Sequence, residues 1–259
     1  MFTFTNFFSA SNIEEAYNEL MKNKKNVVLG GTSYLRMQNT HYNTAIDISN
    51  VGLDTIVEKE DCFEIGAMVT FRQLEIDEKL LKWFPVISNS VRDIVGVQLR
   101  NNVRIGATVF TKHGFSDLIT GLLSLDTYVV LHKGGVIRLE DFLNEKEIRR
   151  DILVKIIIKK ENLKTSFKSL RKSKADYAVL NVAVSKNEDG KFRISVGARP
   201  SKAVLAHKTM DYLAENFDDE VAGNILKDEI TFGSNMRGTK EYRELLAKAL
   251  LSKALKEVR

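Results

Sequence analysis

Hydrophobic positions along the chain recur at a period near 3.6 in some stretches and near 2 in others, which predicts helices and strands mixed without strict alternation. Ser11-Asn12-Ile13-Glu14 reads as a capping box, with Ile13, Tyr17 and Leu20 following at helical spacing. Asn26–Leu29 reads as a short strand running into Gly30-Gly31, and Thr44–Ile48 as a second strand. Thr55–Lys59 and Cys62–Ala67 form two strands around a charged turn. Thr70-Phe71-Arg72-Gln73 caps a helix that runs through Leu74 to about Leu81 and is stopped by Pro85. A helical run spans Val86–Val95, and an apolar helix spans Ser116–Leu125. Tyr128–His132 and Val136–Leu139 flank Gly134-Gly135 as a hairpin, and a β-rich run covers Asp151–Lys159.

Past Leu163 the pattern changes again. Tyr177–Ser185 and Lys191–Ala198 pair across Glu188-Asp189-Gly190, a good hairpin turn. Helices are predicted at Lys202–Glu215, around Val221–Lys227 and at Thr239–Glu257, the last with Tyr242, Leu245, Leu246, Ala249 and Leu250 on one face. The whole is α+β rather than a doubly wound parallel sheet, with expected divisions 1–54, 55–162 and 163–259.

Charge and composition narrow the chemistry. The net charge of +5 is mild, but its excess is concentrated between Lys164 and Arg199, where nine Lys/Arg face three Asp/Glu. The aromatic-interleaved pattern of an RNA-binding sheet is missing, so no nucleic-acid partner is expected. A solvated face able to dock an acidic partner is the better reading. Cys62 is the only cysteine, which excludes an internal disulfide, a Cys-ligated iron–sulfur cluster within this chain and a Cys-rich zinc site. Its acidic neighbours Asp61 and Glu64 disfavour a thiolate, so it reads as filler. His41, His113, His132 and His207 are scattered, and no metal site is expected. No run approaches the roughly 18 apolar residues of a membrane span, and Met1–Phe8 lacks the features of a signal peptide. A cytoplasmic location is the expectation.

Candidate chemistry resides in two glycine-centred segments, Leu29-Gly30-Gly31-Thr32-Ser33 and Arg100-Asn101-Asn102-Val103-Arg104-Ile105-Gly106-Ala107-Thr108. Glycine removes the Cβ that blocks approach to backbone N–H groups, so such segments suit an anionic ligand. The first is neither a Walker A loop nor a dinucleotide fingerprint, and taken alone a plain turn remains its alternative. Arg100 and Arg104 stand open between surface charges and phosphate partners.

Taken together, the motifs resemble the FAD-binding medium subunit of the molybdenum hydroxylases, the group containing xanthine dehydrogenase and carbon monoxide dehydrogenase. The resemblance covers nearly the whole chain. Leu29-Gly30-Gly31-Thr32-Ser33-Tyr34-Leu35 is similar to the family's Ala-Gly-Gly-Thr/Ser loop, and Ile65-Gly66-Ala67-Met68-Val69-Thr70 to its Ile-Gly-Ala-x-x-Thr. Arg100–Thr108 with Asp117 resembles Arg-Asn-x-x-Thr-Ile-Gly-Gly-Asn followed nine residues later by Asp. Asp117–Asp126 is similar to the helix Asp-Leu-x-Pro-x-Leu-Leu-Ala-Leu-x. Farther on, Arg171–Ala178 and Arg237-Gly238-Thr239-Lys240-Glu241-Tyr242-Arg243 resemble family motifs, and Val196–Ala203 does so loosely.

The resemblance implies a two-lobe FAD-binding domain of the vanillyl-alcohol-oxidase-like (PCMH) type, followed by a C-terminal α+β domain with a small antiparallel sheet and helices. It implies FAD as cofactor, with Gly30, Gly31, Thr32 and Ser33 lining the pyrophosphate and ribityl region and Gly106 and Thr108 in the second loop. Leu29, Tyr34, Arg104 and Ile105 complete the implied contacts. Asp117 is expected to accept hydrogen bonds from flavin-side hydroxyls. Tyr177 is expected near the isoalloxazine, with a core-packed strand residue as the equal alternative. No catalytic residue and no metal ligand is implied in this chain. Electrons would come from iron–sulfur clusters on a small subunit and leave to NAD⁺ or another acceptor, while substrate is oxidised on a molybdopterin large subunit. A homodimer of the isolated chain stays open. The chain departs from the family at Ala107, Thr108 and Arg104, and Lys112-His113-Gly114 replaces a small apolar run. If Ala107 needed positive φ, it would be strained by about 1 kcal/mol or more. A degenerate, flavin-free assembly or docking subunit is therefore the alternative function.

Overall fold

The structure, a computed structural model, describes residues 1–147 and 149–259. Its first elements are β1 (Thr3–Ser9), α1 (Ile13–Lys22), β2 (Val27–Leu29), β3 (His41–Asp47), β4 (Ile56–Glu58) and β5 (Cys62–Gly66). Five short helices follow: α2 (Phe71–Ile76), α3 (Glu78–Trp83), α4 (Pro85–Val91), α5 (Val97–Arg100) and α6 (Ile105–Phe110). Then come α7 (Asp117–Leu123), β6 (Thr127–Leu131), β7 (Gly135–Arg138), α8 (Leu139–Asn144) and β8 (Leu153–Lys159). The chain closes with β9 (Leu163–Arg171), β10 (Ala178–Asn187), β11 (Phe192–Gly197), β12 (Val204–Leu205), α9 (His207–Glu215), α10 (Asp219–Glu229) and α11 (Lys240–Val258). The α+β reading holds, and no helix among the described residues is long and apolar enough to cross a membrane.

Two compact units divide the chain, each built from three segments. The first comprises Met1–Gln73, Val97–Thr111 and Tyr128–Ile158. It holds a parallel sheet of order β1-β3-β2 and a mixed sheet of order β4-β5-β8-β6-β7. Helix α1 covers one face of the parallel sheet, burying Ala16 and Leu20 against Ile46 and Ile48. Its cap differs by one residue from the predicted box. Asn12 Oδ1 accepts from Glu15 N (2.9 Å), and Glu15 Oε2 accepts from Ser11 N (3.0 Å). At the other end, the Arg150 guanidinium donates to the carbonyls of Leu20, Asn23 and Lys24, satisfying the terminal acceptors of α1.

The predicted cap at Thr70 is present in full. Gln73 N donates to Thr70 Oγ1 (3.0 Å), and Thr70 N donates to Gln73 Oε1 (2.8 Å). The helix it starts ends at Ile76, because Asp77 caps a new one through Leu80 N. Thr70→Ala is expected to destabilise the first unit by about 1 kcal/mol, the usual worth of a lost N-cap, read as a lower urea midpoint of that unit's transition.

The second unit comprises Leu74–Gly96, Lys112–Thr127 and Lys159–Arg259. Its antiparallel sheet has the order β12-β11-β10-β9, and the β10–β11 hairpin turns where predicted. Strand β10 is buried on both faces from Ala178 to Ser185. On one face Leu180, Val182 and Val184 meet Leu226, Ala247, Leu250 and Leu251 of α10 and α11. On the other, Asn181 Oδ1 accepts from Thr120 Oγ1 (2.9 Å), while Ser195 Oγ donates to Thr120 O (2.7 Å). Helix α7 sits so close there that a Cβ at Gly197 would lie 2.0 Å from Thr120 Oγ1.

Helix α11 corrects the predicted face in part, keeping Leu246 and Leu250 against the core. The buried stripe is Arg243, Ala247, Leu250, Leu251, Ala254, Leu255 and Val258, while Tyr242, Leu245 and Ala249 are exposed. The expected helix at Lys202–Glu215 also starts later, after the short strand β12. Strand β1 carried no strand signal, because nearly every position on it is exposed.

Candidate functional site

Within the first unit the structure brings together the two glycine-centred segments. Leu29 ends β2, and the chain leaves the sheet through Gly30 and Gly31 into a short 3₁₀ turn at Leu35–Met37. Gly31 has φ +83° and Thr32 φ +61°, so two successive residues are left-handed. A left-handed Thr is costly and persists only where its surroundings enforce it. Close packing does so here. A Cβ at Gly30 would sit 2.8 Å from Ala107 Cβ, and one at Gly31 would sit 2.0 Å from Asn102 O. Neither position admits a side chain without moving backbone.

The second segment is not a loop at Gly106-Ala107-Thr108. Those residues form the first turns of α6, with Arg104 as its N-cap residue. Ile105 N donates to Val69 O (3.0 Å) and Gly106 N to Ala67 O (2.9 Å), so both groups are committed to the neighbouring chain. Gly106 is needed because a Cβ would lie 2.5 Å from Ala67 Cβ. Ala107 is helical, and the strain expected of a positive φ is absent. Its methyl faces Gly30 instead. Thr108 Oγ1 donates to Arg104 O (2.9 Å), a bond inside the helix.

What this arrangement offers a ligand is a set of donors. Among the described residues, no protein group accepts from the backbone N–H groups of Gly31, Thr32 and Ser33, or pairs with the Thr32 and Ser33 hydroxyls. Polar backbone must be satisfied by water or a bound group, and successive N–H groups around a left-handed turn form an anion-binding concavity. Arg104 adds charge. Its Cγ lies 3.0 Å from the Cβ position of Gly31, Nη1 donates to Met68 O (3.0 Å), and Nε is buried without an acceptor. A half-buried cation with an orphaned N–H, beside three open backbone donors, fits a diphosphate. Asn102, Ala107 and Ala67 shape this cradle. Their packing role escapes sequence reasoning, although the motifs contain all three, because it is played by a carbonyl or a methyl and not by a functional group.

Asp117 and Tyr177 lie in the second unit. Asp117 opens α7 behind the Ser116 cap and is buried, its carboxylate accepting from Arg171 Nη2 and Asn181 Nδ2. Both oxygens therefore bind protein donors, tying α7 to β9 and β10. Burial raises its pKa, against the pull of Arg171 and Asn181. Arg171 Nη1 also donates to Asp176 O (2.7 Å), while its buried Nε has no acceptor.

Tyr177 is 40% exposed, just ahead of β10, which rules out the core-packed alternative. Its ring meets Phe115 (centroids 4.6 Å apart) and lies under the Arg237 guanidinium, 5.0 Å from the ring centre. Phe115 in turn stacks on His113 at 4.9 Å, and burial lowers the His113 pKa, keeping that imidazole neutral near pH 7. Arg237 is held by Asp176 Oδ1 (2.8 Å). Phe115 and Arg237 were not singled out in the sequence, although Arg237 opens a quoted motif. Among the described residues no cluster of His, Cys, Asp and Glu could hold a metal, and Cys62 is buried.

Residues 2–159 match the model of the FAD binding domain in molybdopterin dehydrogenase, and residues 165–258 that of the CO dehydrogenase flavoprotein C-terminal domain. The chain is 23% identical over 249 residues to YgfM of Escherichia coli K12, covering 95% of this chain and 93% of that protein. It superposes on a chain of reconstituted CO dehydrogenase from Oligotropha carboxidovorans with a TM-score of 0.90 at 20% identity, covering 98% and 96% of the two chains. A chain of quinoline 2-oxidoreductase from Pseudomonas putida 86 gives a TM-score of 0.88 at 20% identity, with 98% and 96% covered.

Proposed function

The chain belongs to the family of FAD binding domains in molybdopterin dehydrogenases, and from that membership we propose that it is the electron-transfer subunit of a heteromeric molybdenum hydroxylase. The observation that carries this reading is the Gly30–Ser33 turn, with its open backbone donors, its side-chain-excluding contacts and Arg104 beside it. Gly31, Thr32 and Ser33 would donate to the pyrophosphate of FAD through backbone N–H groups, and Arg104 would balance part of its charge. Gly30, Gly106 and Ala107 keep the two segments close, while Leu29, Tyr34, Ile105 and Thr108 frame them. Within the second unit, Asp117 ties α7 to β9 and β10 through Arg171 and Asn181. Bound FAD supplies the exchange between one-electron and two-electron carriers.

One cysteine cannot ligate an iron–sulfur cluster, so clusters and molybdopterin belong to a small and a large partner subunit, and the chain is not catalytically complete alone. Electrons leave to NAD⁺ or another acceptor. The flavin-free alternative is motivated by the altered residues Arg104, Ala107 and Thr108; the helical backbone at Ala107, without positive φ, supports the flavin-binding reading.

Purified chain reconstituted with FAD is expected to show the visible bands of oxidised flavin and to lose them on adding dithionite. No binding at micromolar FAD after reconstitution would overturn the proposal. Arg104→Met is expected to weaken FAD binding about tenfold, or about 1.4 kcal/mol, and to leave riboflavin binding unchanged because riboflavin has no phosphate. Equal losses for both ligands would remove Arg104 from the phosphate site.

A further inference from the structure

The second unit holds a cavity of about 420 Å³ where the start of β9 and the end of β10 meet the ends of α3 and α11. That volume is in the range of small-molecule sites. Every residue lining it belongs to this unit, whereas the Gly30–Ser33 turn belongs to the first. Three lysines bring positive charge to it. Lys164 and Lys186 are direct partners in the β9–β10 register, so their side chains leave the same face of the sheet side by side. Like charges placed directly opposite each other repel. Lys82 joins them from the last turn of α3.

Among the described residues no carboxylate answers these three ammonium groups. The acids around them are engaged elsewhere: Glu257 with Ser166 (2.7 Å) and Lys168, Asp219 with Arg259 (2.5 Å), and Glu161 with Arg193 (2.6 Å) and Asn187 (2.9 Å). Lys164 Nζ donates to Arg259 O (2.7 Å), and Lys186 Nζ lies over the rings of Phe192 and Phe217, 5.3 Å from each centre. Lys82 has neither a hydrogen bond nor an ion pair among the described residues. Trp83, the sole tryptophan, also lines the cavity. Lys160 Nζ lies 4.9 Å from its ring centre, and its indole N–H has no acceptor among the described residues. Glu188 completes the wall, accepting from Asn162 Nδ2 (3.2 Å) and pairing with no cation among the described residues. Unpaired lysines attract a polyanion and bind phosphate as point charges. An indole with its N–H to give and a carboxylate that accepts from hydroxyls suit an organic part.

We propose that this cavity binds a small organic diphosphate, with the phosphates among Lys82, Lys164 and Lys186 and the organic part against Trp83 and Glu188. The ligand supplies the counter-charge that the protein withholds from the three lysines. None of these residues belongs to the flavin site, so the cavity takes its ligand whether or not the chain holds FAD.

The probe is ADP, with adenosine and inorganic pyrophosphate as its two halves, titrated into the full chain freed of unbound FAD. Because Trp83 is the only tryptophan, its fluorescence reports on this cavity. A saturable change is expected with ADP, weakening at least about tenfold between about 50 and 300 mM salt and at least about tenfold in Lys82→Ala/Lys186→Ala. Lys82→Glu, at an exposed position, is expected to weaken ADP as much and serves if the double variant fails to fold. Pyrophosphate is expected to bind more weakly than ADP, and adenosine not at all at the same concentrations. Arg104→Met is expected to leave ADP affinity unchanged. No saturable change at low salt, or unchanged affinity in the lysine variants, would overturn the site. Loss of ADP affinity in Arg104→Met would place ADP on the Gly30–Ser33 turn and overturn it too. Pyrophosphate binding as tight as that of ADP would overturn the roles of Trp83 and Glu188, and equally tight adenosine that of the lysines.

Discussion

Gly31→Ala is expected to cost the protein its FAD, with affinity falling at least about a hundredfold, close to 3 kcal/mol. The first contribution is conformational. At φ +83° an alanine is disfavoured by roughly 1–2 kcal/mol. The second is steric: the new methyl would stand 2.0 Å from Asn102 O. That carbonyl cannot easily turn away, because Asn102 N and Val103 N both donate to Leu99 O (2.9 and 3.0 Å), fixing the turn that precedes α6. The loop must move instead, and with it the N–H groups of Gly31, Thr32 and Ser33. Gly52→Ala is the control, since φ is +78° there but no atom lies within 4 Å of the Cβ position. Its expected effect is the conformational contribution alone, without loss of flavin. Titration of both apo-variants with FAD, read by quenching of flavin fluorescence, checks the difference. Equal FAD affinity in the two would show that the turn does not hold the phosphates.

Features encoded by neighbouring residues were legible in the sequence, and features encoded by distant partners were not. The Thr70–Gln73 cap, the turns at Gly134-Gly135 and Glu188-Asp189-Gly190, and the exit from β2 into Gly30-Gly31 all depend on a few adjacent side chains. The second glycine segment depends on Val69 and Ala67, whose carbonyls take the Ile105 and Gly106 N–H groups and start a helix where the residues alone read as a loop. Strand β1 pairs with β3 by parallel bonds from Thr3 to Ser9, and its exposed phenylalanines Phe4 and Phe7 break the alternation that would mark it. Half of the candidate site was visible as glycine spacing. The rest consists of a carbonyl at Asn102, a methyl at Ala107 and the unanswered Nε of Arg104, none of which has a local signature.

Helix α11 shows the same limit and leads to the second large effect. Apolar periodicity selected the face of Tyr242, Leu245, Leu246, Ala249 and Leu250, of which Leu246 and Leu250 do reach the core, but it passed over Arg243, which counts as polar yet is at the centre of the buried stripe. Its guanidinium gathers four acceptors: the carbonyls of Val179, Gly233 and Gly238 and the side chain of Asn235. These join β10 to the 233–238 loop that carries Arg237. Arg243→Met keeps most of the volume and removes every donor, stranding acceptors in a dry interior at about 1–3 kcal/mol for each one left unmade. Relief of the desolvated charge offsets part of this, because among the described residues no carboxylate pairs with it. The expected net loss is about 3–5 kcal/mol, read as a lower urea midpoint for the second unit. Arg243→Lys should recover little, since one ammonium cannot span acceptors arranged for a planar fork. Because Arg237 rides on the same loop, Arg243→Met should also loosen Arg237 from Tyr177, seen as raised hydrogen exchange at residues 233–238. If the midpoint stays within about 0.5 kcal/mol of the parent, in the range of ordinary surface substitutions, Arg243 is not what fixes that loop.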